Sequence, residues 1–180
     1  MRTLRSLVVL AALLAAFPSP AYEPTGSLDY TAAGGSGGAT FDHRQVVGPQ
    51  VTMSALASGG WGGELDHHGV RLESSATRLA GAGVLLSLSQ RDGGLLVEGR
   101  YLGRRVRLTL TPGALIGRYG RCSFELKRSQ PGLYVGDVGC QRVRGPSTTD
   151  KATFRLKGEA AGPEAPLPQL PLALLAALPS

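Results

Sequence analysis

"GRRVRLTLTPGALIGRYGRC", Gly103–Cys122, alternates apolar residues with mostly polar ones, breaks at Pro112-Gly113 and then alternates again. A period of two over such short runs belongs to strands that bury one face. Pro before Gly is the order a type II turn requires. Turning there sets Leu110 opposite Leu115, Leu108 opposite Gly117 and Val106 opposite Tyr119. Every inward position is apolar or glycine.

The same test extends to both sides. A turn at Gly120-Arg121 sets Tyr119 opposite Cys122, Gly117 opposite Phe124 and Leu115 opposite Leu126. Upstream, Gly103-Arg104 read as a type II′ turn pairs Tyr101 with Val106, Gly99 with Leu108 and Val97 with Leu110. Asp92-Gly93 in turn pairs Leu88 with Val97, Leu86 with Gly99 and Val84 with Tyr101. All four turns agree on one buried face, and agreement is informative because a one-residue slip moves the whole apolar set to the other side.

A further loop centred on Pro131 sets Cys122 opposite Cys140 and Phe124 opposite Val138, which predicts a disulfide between the two cysteines of the chain. Earlier, "ELDHHGVRLE" reads as a hairpin turning at His68-Gly69, with Leu65 against Leu72 and Asp66 against Arg71. A strand over Val51–Ala57 precedes it, and "KATFRLK", Lys151–Lys157, is another, with Ala152, Phe154 and Leu156 inward. The expected fold is all-β, an antiparallel up-and-down meander of about eight to ten short strands closed or rolled into a barrel, with a β-sandwich second. A barrel in a membrane turns its apolar face to lipid, whereas these outward positions carry arginine and glutamate.

The flanks divide the chain further. Arg2 and Arg5 precede an apolar run, Leu7–Phe17, and Ser19 and Ala21 supply small residues for cleavage, so 1–21 reads as a signal peptide and the protein as exported, periplasmic or extracellular. The run is shorter than the ~18 residues of a membrane span, and no transmembrane span is expected in the mature chain. Residues 22–45 contain "AAGGSGGA", Ala32–Ala39, and read as a flexible glycine-rich arm. These glycines lack the closing Lys-Ser or Lys-Thr of a phosphate loop, and no cofactor is expected. The β-domain spans 46–158 and a Pro/Ala/Leu-rich tail 159–180. The apolar part of the tail, Pro171–Pro179, predicts a short helix that docks on the domain or closes a barrel end, with an anchor-attachment signal as the alternative.

Charge is concentrated in one region. The formal net charge is +6, and between Arg91 and Arg144 eleven Lys or Arg residues stand against four acids. The turn-derived register lays Arg100, Arg107 and Arg118 in a row on the outer face and brings Arg104, Arg105, Arg121, Arg142 and Arg144 to the same end of the sheet. Arginine matches phosphate and carboxylate by a planar fork, so these eight residues are the candidate anion-binding set. The competing reading is a solubilising surface. Inward glycines at 99 and 117 point either to a bend in the sheet or to a ligand pocket.

His43, His67 and His68 with Asp42, Glu64 and Asp66 are the candidate metal or acid–base set, although no motif orders them. The expected function is therefore an exported, non-catalytic binding or structural domain. Its expected partner is anionic envelope or extracellular material: a polymer, a glycan or a lipid headgroup. The alternatives are a carrier of a small apolar ligand inside the barrel and a hydrolase or metal-dependent enzyme using the histidine–acid set.

Overall fold

The computed structural model describes residues 23–91, 93–142, 144–162 and 164–180. The expected signal peptide, 1–21, lies outside them, as does Asp92 of one predicted turn. Fourteen strands follow in chain order: β1 (Gly26–Ala32), β2 (Gly35–Phe41), β3 (Gln45–Gly48), β4 (Val51–Ala55), β5 (Trp61–Leu65), β6 (His68–Ser75), β7 (Arg78–Gly81), β8 (Val84–Arg91), β9 (Gly94–Tyr101), β10 (Arg104–Leu110), β11 (Ala114–Tyr119), β12 (Cys122–Gln130), β13 (Leu133–Cys140) and β14 (Thr148–Gly158). Each pairs antiparallel with its neighbours in sequence, and β1 pairs with β14 from Gly26–Gly158 to Ala32–Ala152, which closes the barrel. Closure leaves no edge strand to template aggregation.

The strand count exceeds the expected eight to ten, chiefly at the N-terminal side. The stretch expected as a flexible arm carries β1 and β2, which form the seam of the barrel. Glycine-rich β2 lacks the apolar content by which a strand is recognised, and it is held by pairing on both sides. Short β3 and β7 bury one residue apiece, Val46 and Leu79, too few to show a period.

The registers drawn from Asp92-Gly93, Pro112-Gly113, Gly120-Arg121 and the Pro131 loop are those observed. Two others shift. The chain turns at Leu102-Gly103, with φ of 49° and 80°, so Val106 faces Gly99 and Leu108 faces Val97. It also turns at Asp66-His67, with φ of 50° and 64°, so Leu65 faces His68 and Trp61 faces Leu72. Both are turns with two left-handed residues, which match the right-handed twist of the flanking strands. The shifts are by two and four residues, so every side chain keeps its face while its partner changes.

A recurring glycine rolls the sheet. On β3, β5, β7, β9, β11 and β13 a Cβ added at Gly48, Gly63, Gly81, Gly99, Gly117 or Gly136 would lie 2.0–2.6 Å from a carbonyl oxygen of the preceding strand. The central four recur every eighteen residues, and Gly99 and Gly117 have φ of 135° and 137°, a region that L side chains rarely adopt. Backbone approaches backbone closely at each step, which bends the wall at every second strand.

The C-terminal segment passes a 3-10 turn at Glu159–Ala161 and forms α1 (Gln169–Ala177), all of whose residues are buried. Leu170 lines a hollow with Leu110, Pro112 and Gly132 at one end of the barrel, while Ser180 abuts Gly120 at the other. The helix therefore runs lengthwise through the interior, packed on β1–β4. A helix apolar on all sides needs cover on all sides, and only the inside of the barrel supplies it. One glycine of β2 now has a physical role, because a Cβ at inward-facing Gly37 would lie 2.1 Å from the Ala177 carbonyl oxygen. At the helix start, Gln169 Nε2 donates to the His43 carbonyl at 3.2 Å.

Candidate functional site

Gly-Arg-Tyr occurs twice, at Gly99–Tyr101 and Gly117–Tyr119, eighteen residues apart. In each copy glycine bends the strand, arginine points outward and tyrosine inward. The tyrosines meet edge to face inside the wall, ring centroids 6.1 Å apart. Burial raises the pKa of both hydroxyls, and Arg104 opposes this by its charge and, at Tyr119, by hydrogen bonding.

On the outside, the bends leave a depression of about 690 Å³ lined by Leu85, Ser87, Glu98, Gly99, Arg100, Arg105, Val106, Arg107, Arg118 and Gly120. The ladder orders these residues into two rows across β8–β11. One row runs Leu85, Arg100, Arg105, Gly120, with Arg100 directly opposite both Leu85 and Arg105; the Gly120 amide donates to the Arg105 carbonyl at 2.8 Å. The other runs Ser87, Glu98, Arg107, Arg118.

The single row expected through Arg100, Arg107 and Arg118 is thus corrected: the two-residue register shift places Arg105, not Arg107, beside Arg100, and Glu98 beside Arg107. Arg107 Nε lies 3.0 Å from Glu98 Oε1. Among the described residues this is the one ion pair made by the four arginines of the depression. Leu85, 53 % exposed, forms an apolar margin that sequence reasoning did not include in the site.

The remaining candidate arginines share this end of the barrel without sharing the depression. Arg104 turns over the barrel mouth towards Tyr101 and Tyr119. Arg121 occupies the exposed turn after β11. Arg142 lines a separate hollow at the mouth with Tyr30, Thr148, Asp150 and the end of α1. There burial, reinforced by the Asp150 charge, pushes the Tyr30 hydroxyl up to about 12. Arg144 is exposed in the segment between β13 and β14. The Cys122–Cys140 disulfide, with Cα atoms 4.1 Å apart, ties the start of that segment to the β12 wall.

The other two proposed settings are also placed. Gly99 and Gly117 meet the backbone of the preceding strand, the geometry of a bend, and α1 lies where an apolar ligand inside the barrel would lie. His43 follows β2 at the end where α1 starts, whereas His67 and His68 sit at the opposite end, at the turn into β6. Among the described residues no three His, Cys, Asp or Glu side chains gather as a metal-holding group. No helix of the described residues is long and apolar enough to cross a membrane. Comparison with known proteins finds no matching family model, no matching curated protein and no matching solved structure.

Proposed function

We propose that this barrel is an exported binding domain that takes an anionic ligand on its arginine-lined wall. The observation that carries the reading is the gathering of Arg100, Arg105, Arg107 and Arg118 around one depression with Glu98 as its one acid. Two of their pairings, Arg100 with Arg105 and Arg107 with Arg118, set like charges directly opposite each other. Such pairs are unfavourable by roughly 0.2–1 kcal/mol each. An oxyanion lying between two guanidiniums converts the repulsion into charge-assisted, forked hydrogen bonds. A surface serving solubility alone has no need to oppose its cations in pairs, and is better served by mixed signs.

The signal-like sequence at 1–21 and the disulfide support an exported setting, where anionic envelope or extracellular material is the ligand class at hand. Titration calorimetry with heparin as the probe tests the reading. Four arginine contacts predict an association constant that falls steeply with salt, with a log–log slope of about −3. A slope near zero, or no heat at low salt, overturns it.

A further inference from the structure

The pairing pattern says more than that the wall is cationic. Row one presents its arginine pair on β9 and β10, as Arg100 and Arg105; row two presents its pair on β10 and β11, as Arg107 and Arg118. β10 serves both rows, because Arg105 and Arg107 are two residues apart on its outer face. The pairs are therefore offset by one strand and by two residues along the strand. With ~4.8 Å between strands and ~3.3 Å per residue, the midpoints of the two pairs lie roughly 8 Å apart on a diagonal.

Their surroundings differ as well. The upper pair is bordered by Leu85 on one side and by the bare backbone of Gly120 on the other. The lower pair is bordered by Glu98 and Ser123, and Glu98 already engages Arg107. The backbone thus sets out two arginine pairs, centred apart and with unequal surroundings.

Resting on the anion-binding reading above, we infer that the depression recognises two oxyanionic groups of phosphate or sulfate type carried on one molecule and held about 8 Å apart. The Arg100–Arg105 centre takes one group and the Arg107–Arg118 centre the other. The stronger grip falls to the Arg100–Arg105 centre, where no carboxylate competes. Two sources carry this chemistry: a compact molecule with two such groups, as in a doubly phosphorylated headgroup, or successive groups along a polymer. Both meet the same four side chains.

The test uses the folded chain and probes of known geometry: an alkyl monophosphonate, a series of α,ω-alkane bisphosphonates of increasing spacer length, and inorganic polyphosphates of increasing length. Joining two groups makes the second contact intramolecular, so a bisphosphonate of matching spacer binds at least about tenfold more tightly than the monophosphonate, and shorter or longer spacers lose part of the gain. Arg100→Ser with Arg105→Ser, or Arg107→Ser with Arg118→Ser, returns the bisphosphonate to monophosphonate affinity. The first double variant loses more than the second for the monophosphonate itself. Circular dichroism identifies any variant that fails to fold, and Arg→Gln versions of the same pairs then replace it.

Equal affinity for mono- and bisphosphonates at every spacer, beyond a statistical factor of about two, overturns the two-group inference while leaving anion binding intact. Binding that survives loss of all four arginines overturns the underlying reading instead. The polyphosphate arm identifies the source. Affinity per chain that levels off at two groups favours the compact molecule, and affinity that keeps rising favours the polymer. Both outcomes retain the inference.

Discussion

Leu174 sits midway along α1 with 0 % exposure, and the account of the core stands or falls on it. Replacing it with alanine removes buried methyl groups from a helix enclosed on all sides by paired strands. Leu→Ala changes in cores cost about 2–5 kcal/mol, more where the surroundings collapse least. A closed barrel holds its wall by continuous ladders, so the upper part of that range, about 3–5 kcal/mol, is expected.

Domains of this size are stable by about 5–15 kcal/mol, so the variant loses roughly a fifth or more of the total. With a urea slope of about 2 kcal/mol/M, the midpoint of denaturation falls by roughly 1.5–2.5 M. Leu85→Ala, on the exposed outer wall, serves as the control and shifts stability by no more than about 0.5 kcal/mol. The assay is urea unfolding followed by tryptophan fluorescence of Trp61. A midpoint for Leu174→Ala within about 0.3 M of the Leu85→Ala control contradicts a helix inside the barrel.

Gly37→Ala drives a Cβ against the Ala177 carbonyl and lowers the thermal midpoint, whereas Gly69→Ala, with nothing within 4 Å, leaves it unchanged; equal midpoints would contradict the close approach of β2 and α1. Replacing Cys122 and Cys140 together by serine releases an 18-residue loop and costs roughly 3 kcal/mol in the chain-entropy model, read by urea unfolding against the oxidised protein. Glu98→Gln removes the carboxylate engaged by Arg107, so heparin binding tightens a few-fold; weaker binding would mean that Glu98 holds the ligand directly.

The buried tyrosines supply a pH test. Burial raises Tyr30 to about 12 and raises Tyr101, Tyr119 and Tyr134 as well. Folded values above unfolded ones contribute stability that is complete below about pH 10 and is lost as pH rises through the folded values. The thermal midpoint is therefore flat to about pH 10 and then falls as phenolate absorbance grows. An unchanged midpoint at pH 12 would contradict the burial.

The stretch from Val84 to Cys140 was readable because each strand there buries two or three apolar residues at alternate or in-phase positions, so that period and turn residues constrain each other. Where the register slipped, at Leu102-Gly103 and Asp66-His67, turn chemistry alone was ambiguous by multiples of two residues, and the buried face could not arbitrate. That ambiguity hid the Glu98–Arg107 pair and made two arginine rows look like one. β2 was missed for a different reason: it is glycine-rich, Gly37 is kept bare by the end of α1, and only Ala39 and Phe41 are buried apolar positions, too few to give the signal of an ordinary strand. The recurrence of glycine at 63, 81, 99 and 117 is plain in the sequence, yet its meaning depends on backbone contacts between strands that composition does not carry. The arginines themselves were legible as a cluster on one side of the molecule, whereas their division between wall, mouth and loop followed from side-chain parity at the corrected turn.

A charge-matched comparison tests the central claim most directly. One variant carries serine at Arg100, Arg105, Arg107 and Arg118; the other carries serine at Arg44, Arg78, Lys127 and Arg155, four exposed cations outside the depression. Both lose the same formal charge, so their difference reports position alone. With heparin titrated calorimetrically at one low ionic strength, the wall variant loses at least about a hundredfold in affinity and nearly all salt dependence, while the matched variant stays within a few-fold of the parent. Equal losses in the two variants would show that net charge, and not the arginine-lined wall, binds the anion.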